Sequence, residues 1–136
     1  MEKYKVIIEK GPDGLFHAYN ESAEGIGVLI GCGKTPQKAK EDFFCTLKEV
    51  ADMKTEEGKP RSAFCDMEPE FVYDLASFLS DYDVINTSAL ARRIGVNESL
   101  MRQYKSGGAY LSEKQMERIA DGIHELGREL SSLRFR

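Results

Sequence analysis

The hydrophobic period of the chain changes once along its length, and this change most constrains what the chain can fold into. Residues 4–9 alternate between apolar and polar side chains, the pattern of a half-buried β-strand. From residue 75 onward, apolar side chains instead recur every three to four positions, as on the buried face of a helix. The sequence therefore predicts an α+β protein, with a small β-β-β-α(-β) domain over residues 1–66 and an all-α domain over residues 67–136.

Three strands are predicted in the first domain. The strand at 4–9 is followed by a turn at 11–14, rich in Gly and Pro, and by a second strand at 15–19, which together make a hairpin. Residues 26–30 form a short apolar run that predicts the third strand. Two glycines are expected to end this strand, Gly31 and Gly33.

A helix is predicted to begin near Thr35 and to end around Met53. One apolar stripe at helical spacing indicates its buried face: Ala39, Phe43, Leu47 and Val50. The polar segment 54–60 contains Gly and Pro and is the best candidate for a linker. A fourth strand is expected within 63–73, although Pro69 weakens this prediction.

Four helices are predicted in the second domain, because each has residues that favour a helix start or stop. The predicted N-caps are Asp74, Asn86 or Thr87, Asn97, and Ser112, the last with Gln115 in a capping box. The predicted stops are Gly95 and Gly107 with Gly108. The apolar stripe of the last helix runs on to Leu133, beyond what a four-helix module needs, so its end is expected to face a second subunit.

The two middle helices predict a helix-turn-helix. Ala91 is small where the helices would approach, Gly95 can adopt the left-handed turn conformation, and Val96, Met101 and Tyr104 are apolar where a core is needed. The second of these helices presents polar side chains that can reach base edges or phosphates in a major groove. The predicted DNA-binding residues are Thr87, Ser88, Asn97, Glu98, Ser99, Arg102, Gln103 and Lys105.

Charge is distributed unevenly along a chain of net charge −4. Residues 1–66 carry 10 Lys/Arg and 12 Asp/Glu, and residues 67–85 carry no Lys/Arg and 5 Asp/Glu. Residues 86–136 carry 9 Lys/Arg and 6 Asp/Glu, so the basic excess coincides with the predicted helix-turn-helix. This distribution is expected if one domain meets a polyanion and the other does not.

No cofactor, metal site or catalytic constellation is predicted. The three cysteines, Cys32, Cys45 and Cys65, are odd in number and lack a C-x-x-C pair, so we expect reduced thiols in a cytoplasmic protein. A nuclease would need carboxylates clustered on strands to hold metal ions, whereas Glu9 lies at a strand end and Glu21 in a loop. The sequence contains no apolar run long enough for a membrane span.

Two stretches resemble known families. The Leu-Ala-Arg-Arg-Ile-Gly-Val opening and the Tyr-Lys-Ser-Gly ending of residues 90–107 resemble the Xre/Cro-like helix-turn-helix family. The first domain, with its hairpin, third strand and Gly-Lys-Thr-Pro-Gln-Lys-Ala helix start at 33–39, resembles HicB-type antitoxins, whose amino-terminal domain is a partial RNase H-like fold. It departs from that family at residues 20–25, where the usual Pro-Asp and Pro-Gly pieces are absent.

The two resemblances together imply an antitoxin that doubles as an autorepressor. The second domain would bind operator double-stranded DNA as a homodimer or higher homo-oligomer, and the first would cover the active site of a HicA-like RNA-cleaving toxin. The acidic balance of residues 1–85 suits a basic partner. The alternative is a stand-alone transcription regulator whose first domain senses a ligand or dimerises.

Overall fold

The structure, a computed structural model, describes residues 3–21, 28–56 and 67–136, with only the backbone described at 54–56. It divides into two compact units, residues 1–74 and 75–136. The predicted boundary after residue 66 lies earlier, and the fourth strand belongs to the first unit. Part of the predicted linker at 54–60, part of the predicted third strand and Cys65 lie outside the described residues.

The described residues of the first unit form a four-stranded sheet and one helix, so the α+β fold predicted from the sequence is confirmed. Its elements are β1 Lys3–Lys10, β2 Phe16–Asn20, β3 Ile30–Gly33, α1 Pro36–Glu56 and β4 Glu68–Tyr73. The strand order is β3-β2-β1-β4, with β1, β2 and β3 antiparallel and β4 parallel to β1.

Helix α1 covers one face of this sheet. Its predicted stripe provides the contact: Ala39 and Phe43 are fully buried, and Leu47 and Val50 pack at the margin of the core. Strand residues of alternating position complete the core, namely Tyr4, Val6, Ile8, Phe16 and Ala18. The opposite face of the sheet carries the intervening residues, and cross-strand partners line up on it in one apolar row, Ile30, Tyr19, Ile7 and Val72.

The third strand lies later than predicted. It occupies Ile30–Gly33, so Gly31 lies inside the strand and Gly33 is its last residue. Gly31 is buried against α1, and a Cβ built on it would lie 2.2 Å from the backbone nitrogen of Phe43. A Cβ on Gly33 would likewise lie 2.7 Å from the Ala39 nitrogen. These glycines therefore let a helix approach a strand closely, which is a second reason for glycine inside strands.

Strand β4 is at the edge of the sheet, which accounts for Pro69. Proline cannot donate a ladder hydrogen bond and is confined largely to edge strands. Pro69 pairs in register with Tyr4 of β1, and the strand follows this parallel register from Glu68 to Tyr73. The Asp74 backbone N–H then donates to the Ile8 carbonyl at 2.9 Å, which extends the pairing to the end of the unit.

The second unit is a bundle of four helices. These are α2 Leu75–Asp81, α3 Thr87–Ile94, α4 Glu98–Ser106 and α5 Glu113–Ser132. Its core combines residues of all four helices and the α3–α4 turn, with Leu79, Leu90, Ala91, Val96, Met101, Tyr104 and Ile119 buried. Among the described residues, none of the helices has the length and apolar character needed to span a lipid bilayer.

Candidate nucleic-acid interface

Helices α3 and α4 are joined by a turn whose geometry depends on one glycine. Gly95 has φ of +88°, a left-handed conformation that residues with a Cβ rarely adopt. Its N–H and that of Val96 both donate to the Ala91 carbonyl at 2.9 Å, which closes the end of α3. Arg118 of α5 donates from Nη2 to the Gly95 carbonyl at 2.9 Å. The turn is therefore held by backbone hydrogen bonds within it and by one side chain from outside.

Both helices of the pair begin with asparagine caps. Asn86 Oδ1 accepts the Ala89 N–H at 2.9 Å at the start of α3, and Asn97 Oδ1 accepts the Leu100 N–H at 3.0 Å at the start of α4. Helix α4 ends at Gly107, with φ of +78°. Predicted caps at 97 and 112 are present, and of the two candidates for α3 the cap is Asn86.

Helix α4 buries one face and exposes the other. Met101 and Tyr104 are buried in the core of the unit. Ser99, Arg102 and Gln103 are exposed, and their spacing of three and four residues puts them on one side of the helix. Lys105 is exposed near the carboxyl end of α4. Arg102 and Gln103 have the side chains that make bidentate hydrogen bonds to guanine and adenine, respectively, in a major groove.

The start of α3 and the end of α4 line an open groove of about 660 Å³. Arg102 reaches across it, donating from Nη1 to Ser88 Oγ at 2.9 Å. Asn86, Lys105 and Asp83 also line it, so one carboxylate lies among its polar and basic groups. Thr87 lines the same groove but is only 8% exposed, the least accessible of the predicted DNA-binding residues.

The predicted residues Asn97 and Glu98 lie at the amino end of α4, away from this groove. Glu98 forms an ion pair with Arg92 of α3, which links the two helices across the turn. Arg93 forms a second ion pair, with Glu129 of α5. The adjacent arginines of α3 thus have different partners, and both remain substantially exposed.

Besides Asn86 and Asp83, Ser106 and Arg118 contribute to this region without being among the predicted site residues. Ser106 lines the groove beside Lys105, and its hydroxyl donates to the Gln103 carbonyl at 3.1 Å. Arg118 holds the turn, but it is far from Gly95 in sequence, so no local pattern points to it. The position of Ser106, three residues after Gln103 on the exposed side of α4, is a signal that could have identified it.

Among the residues that the structure describes, no three or more His, Cys, Asp and Glu side chains are placed to hold a metal ion. Glu9 instead accepts a hydrogen bond from the Tyr19 hydroxyl at 2.8 Å. Burial, followed by this hydrogen bond, raises the pKa of Tyr19 to about 12. The expectation that the protein is not a nuclease stays a prediction.

A scan against protein-family models gives no match for this chain, and a search of curated proteins gives none either.

Proposed function

We propose that the second unit binds double-stranded DNA through α4, and that the whole protein is an antitoxin that represses its own operon. The observation that carries the DNA-binding proposal is the pair α3 and α4. They are joined through a left-handed Gly95, and α4 exposes Ser99, Arg102 and Gln103 on one side. Two short helices joined in this way present the second helix to a major groove.

The side chains divide into base readers and phosphate contacts. Arg102, Gln103 and Ser99 would read base edges, a role supported by their shared position on the exposed side of α4. Ser88, Lys105 and the amino end of α3 would bind the phosphate backbone. Thr87 contributes mainly through its backbone at that helix end, since its side chain is buried. Asn97 and Glu98 would lie at the end of α4 that enters the major groove of the DNA.

A second copy of the chain is part of the proposal. The last turns of α5 and the residues after it expose large apolar side chains, namely Leu130, Leu133 and Phe135. A symmetric dimer formed through this segment would present two α4 helices to two half-sites about one helical turn apart. The charge of residues 75–136, with 9 Lys/Arg and 8 Asp/Glu, gives one copy little electrostatic affinity, and two copies double the phosphate contacts.

The first unit would neutralise a HicA-like toxin, as its resemblance to HicB-type antitoxins implies. The first unit has an antiparallel hairpin, a third strand, and a helix that leads to a fourth strand parallel to the first. This arrangement is the one expected of a partial RNase H-like unit. The apolar row Ile30, Tyr19, Ile7 and Val72 is not covered by α1 and offers a surface for a protein partner. A cytoplasmic location follows from the same proposal.

DNA binding is tested by fluorescence anisotropy with the DNA upstream of the gene, at several salt concentrations. Arg102→Ala and Gln103→Ala should each weaken operator binding by on the order of 1–3 kcal/mol and relax sequence preference. Lys105→Ala should weaken binding to all DNA and flatten the salt dependence. Lys114→Ala, which removes an exposed lysine at the start of α5 and lies outside both α4 and the proposed dimer segment, is the control for charge. Parent-like binding by both α4 variants would exclude this helix as the reader.

Toxin neutralisation is tested separately by co-expressing the protein with the small basic protein encoded beside it and following growth. Rescue of growth by the Arg102→Ala variant would support a toxin-binding function that is independent of DNA. If no neighbouring gene encodes such a protein and none co-purifies, a stand-alone regulator is the better assignment.

A further inference from the structure

Three side chains outside the DNA interface meet on the open face of the sheet. His17 of β2 and Cys32 of β3 are cross-strand partners, and Cys32 Sγ lies 3.2 Å from His17 Nδ1. On the other side of the imidazole, His17 Nε2 lies 3.3 Å from Asp13 Oδ1, in the turn between β1 and β2. The ring therefore has a thiol at one nitrogen and a carboxylate at the other.

The carboxylate determines which ring nitrogen carries the proton. Leu15 donates its backbone N–H to Asp13 Oδ1 at 3.0 Å, and this bond, followed by the one from His17, lowers the pKa of Asp13. An ionised carboxylate only accepts hydrogen bonds, so the neutral imidazole carries its proton on Nε2. The lone pair of Nδ1 is then directed toward the Cys32 thiol.

Local structure keeps this arrangement in place. A Cβ at Gly11 would lie 2.8 Å from His17 Nε2 and 2.9 Å from Asp13 Oδ1, so glycine at this position leaves the space that the pair occupies. On the side of the thiol, the Cys32 backbone N–H donates to Asp42 Oδ2 of α1 at 2.8 Å. The nucleophile, its base and the group that orients the base thus come from three segments and are each fixed separately.

The thiol is open to solvent, and its surroundings are acidic. Cys32 is exposed, and Glu9 of β1 is the cross-strand partner of His17 on the side away from Cys32. Asp13 contacts the His17 ring, Asp42 accepts the backbone N–H of Cys32, and Glu9 is paired with His17, so three acidic residues neighbour the pair. A negatively charged reagent would be repelled by them, so the geometry favours a small neutral electrophile.

We propose that Cys32 is a covalent modification site that undergoes thiol–disulfide exchange with small neutral disulfides, with His17 as the base and Asp13 as the positioning residue. His17 Nδ1 takes the thiol proton as Cys32 Sγ attacks one sulfur of the disulfide. The disulfide bond breaks, a bond between Cys32 and the attacked sulfur forms, and the departing thiolate receives the proton from His17. The disulfide is itself the oxidant, so the step requires no other reactant.

Cys45 is an internal control in the same unit. It is exposed on α1, and among the described residues of the first unit the only histidine, His17, is hydrogen-bonded to Cys32. The full-length protein is incubated with 2-hydroxyethyl disulfide at pH 7, quenched with acid, and the modification of each cysteine is followed by peptide mass spectrometry. Cys65 is separated by the same mapping. Cys32 should be modified at least about tenfold faster than Cys45, since a positioned general base contributes at least that much.

Variants and pH distinguish base catalysis from simple exposure. His17→Ala and His17→Gln should bring the Cys32 rate to within about twofold of the Cys45 rate, and Asp13→Asn should give an intermediate rate. A free thiol reacts through its thiolate, whose fraction falls about tenfold for each pH unit below the thiol pKa, whereas a thiol that passes its proton to a base does not need prior ionisation. In the parent protein the ratio of the Cys32 rate to the Cys45 rate should therefore rise as the pH is lowered from 8 to 7. This last measurement needs no variant and therefore does not depend on how the variants fold. Equal rates in the parent protein, or a ratio that is unchanged by pH and by both His17 substitutions, would overturn the proposal. Neither result would bear on DNA binding, which uses the second unit.

Discussion

The interactions that define the two units differ in how far apart their residues lie in the sequence. In the first unit, Lys3 pairs with Glu68, and the strand that contains Gly31 packs directly against α1. The sheet and the contact between sheet and helix are therefore both formed by residues distant in sequence. In the second, the ends of α3, α4 and α5 are closed by residues within a few positions, such as Asn86 and Ser112. The core of that unit also includes long-range contacts, but its helix boundaries are set locally.

This difference implies different responses to mutation. Removing a buried side chain from the first unit should destabilise the whole unit, because its sheet and α1 share one core. Removing a cap from the second unit should weaken one helix end by the modest free energy of a single hydrogen bond. Variants chosen from each unit can break or sharpen this contrast.

The largest effect is expected for Phe43→Ala. Phe43 is fully buried at the centre of the α1–sheet contact, and truncating such a phenylalanine costs about 3–5 kcal/mol of unfolding free energy. Phe44→Ala makes the same chemical change at a neighbouring position that is 46% exposed, so it should cost much less. Hydrogen exchange followed by mass spectrometry should show lost protection throughout the first unit for Phe43→Ala, with residues 87–106 unaffected. Equal effects of the two variants would contradict the assigned core.

The next effect separates two glycines of α5. A Cβ at Gly127 meets no atom within 4 Å, so Gly127→Ala should stabilise the helix by about 0.5–1 kcal/mol. A Cβ at Gly122 would lie 2.4 Å from Cγ1 of Ile94, and the overpacking penalty of about 1–3 kcal/mol should outweigh the same helix gain. Urea unfolding should therefore shift the two midpoints in opposite directions. A stabilising Gly122→Ala would mean that α3 and α5 pack less closely than described.

A smaller effect is expected at the first turn of α5. Ser112 Oγ accepts the Gln115 N–H at 3.2 Å, and Ser112→Ala should reduce stability by about 1 kcal/mol. Ser131→Ala is the control, because Ser131 is exposed in the same helix and its hydroxyl donates to the Gly127 carbonyl, a bond that contributes little to a helix. Ser112→Ala should keep the DNA affinity of the parent, because Ser112 lies outside α4 and outside the proposed dimer segment. Equal stability of the two variants would show that the cap does not stabilise the helix.

The same difference in range explains what sequence reasoning predicted well. Helix boundaries at Gly95, Asn97 and Ser112 follow from side chains and glycine conformations that act within four residues, and these predictions are confirmed. The third strand was misplaced because a glycine can end a strand or admit a helix. Only the position of Phe43 against Gly31 distinguishes the two roles. The pairing of β4 with β1 also cannot be predicted from local sequence, since the residues of one strand do not indicate which strand lies beside it.

The candidate interface shows the same limits. Exposure of Ser99, Arg102 and Gln103 follows from helical spacing alone, and the structure places them together as expected. The bond from Arg102 to Ser88 and the bond from Arg118 to Gly95 join different helices, so they required the fold. Burial of Thr87 also depends on packing, because the first residue of a helix is exposed in an isolated helix.

The smallest effect concerns the titration of Asp13 in the β1–β2 turn. The Leu15 N–H bond is the largest cause of its lowered pKa and the His17 bond the next, so the midpoint should lie below the ordinary value of 3.8. A lowered pKa in the folded state means that the stabilisation is fully present above pH 3.8 and is lost as pH falls through the folded midpoint. Carboxyl carbon chemical shifts measured by NMR report this midpoint. His17→Ala should raise it only part of the way toward 3.8, because the Leu15 bond remains, whereas Cys32→Ser should leave it unchanged, because both partners of Asp13 are retained. A complete return to 3.8 in His17→Ala would make the side chain of His17, rather than the backbone of this turn, the group that holds the carboxylate ionised.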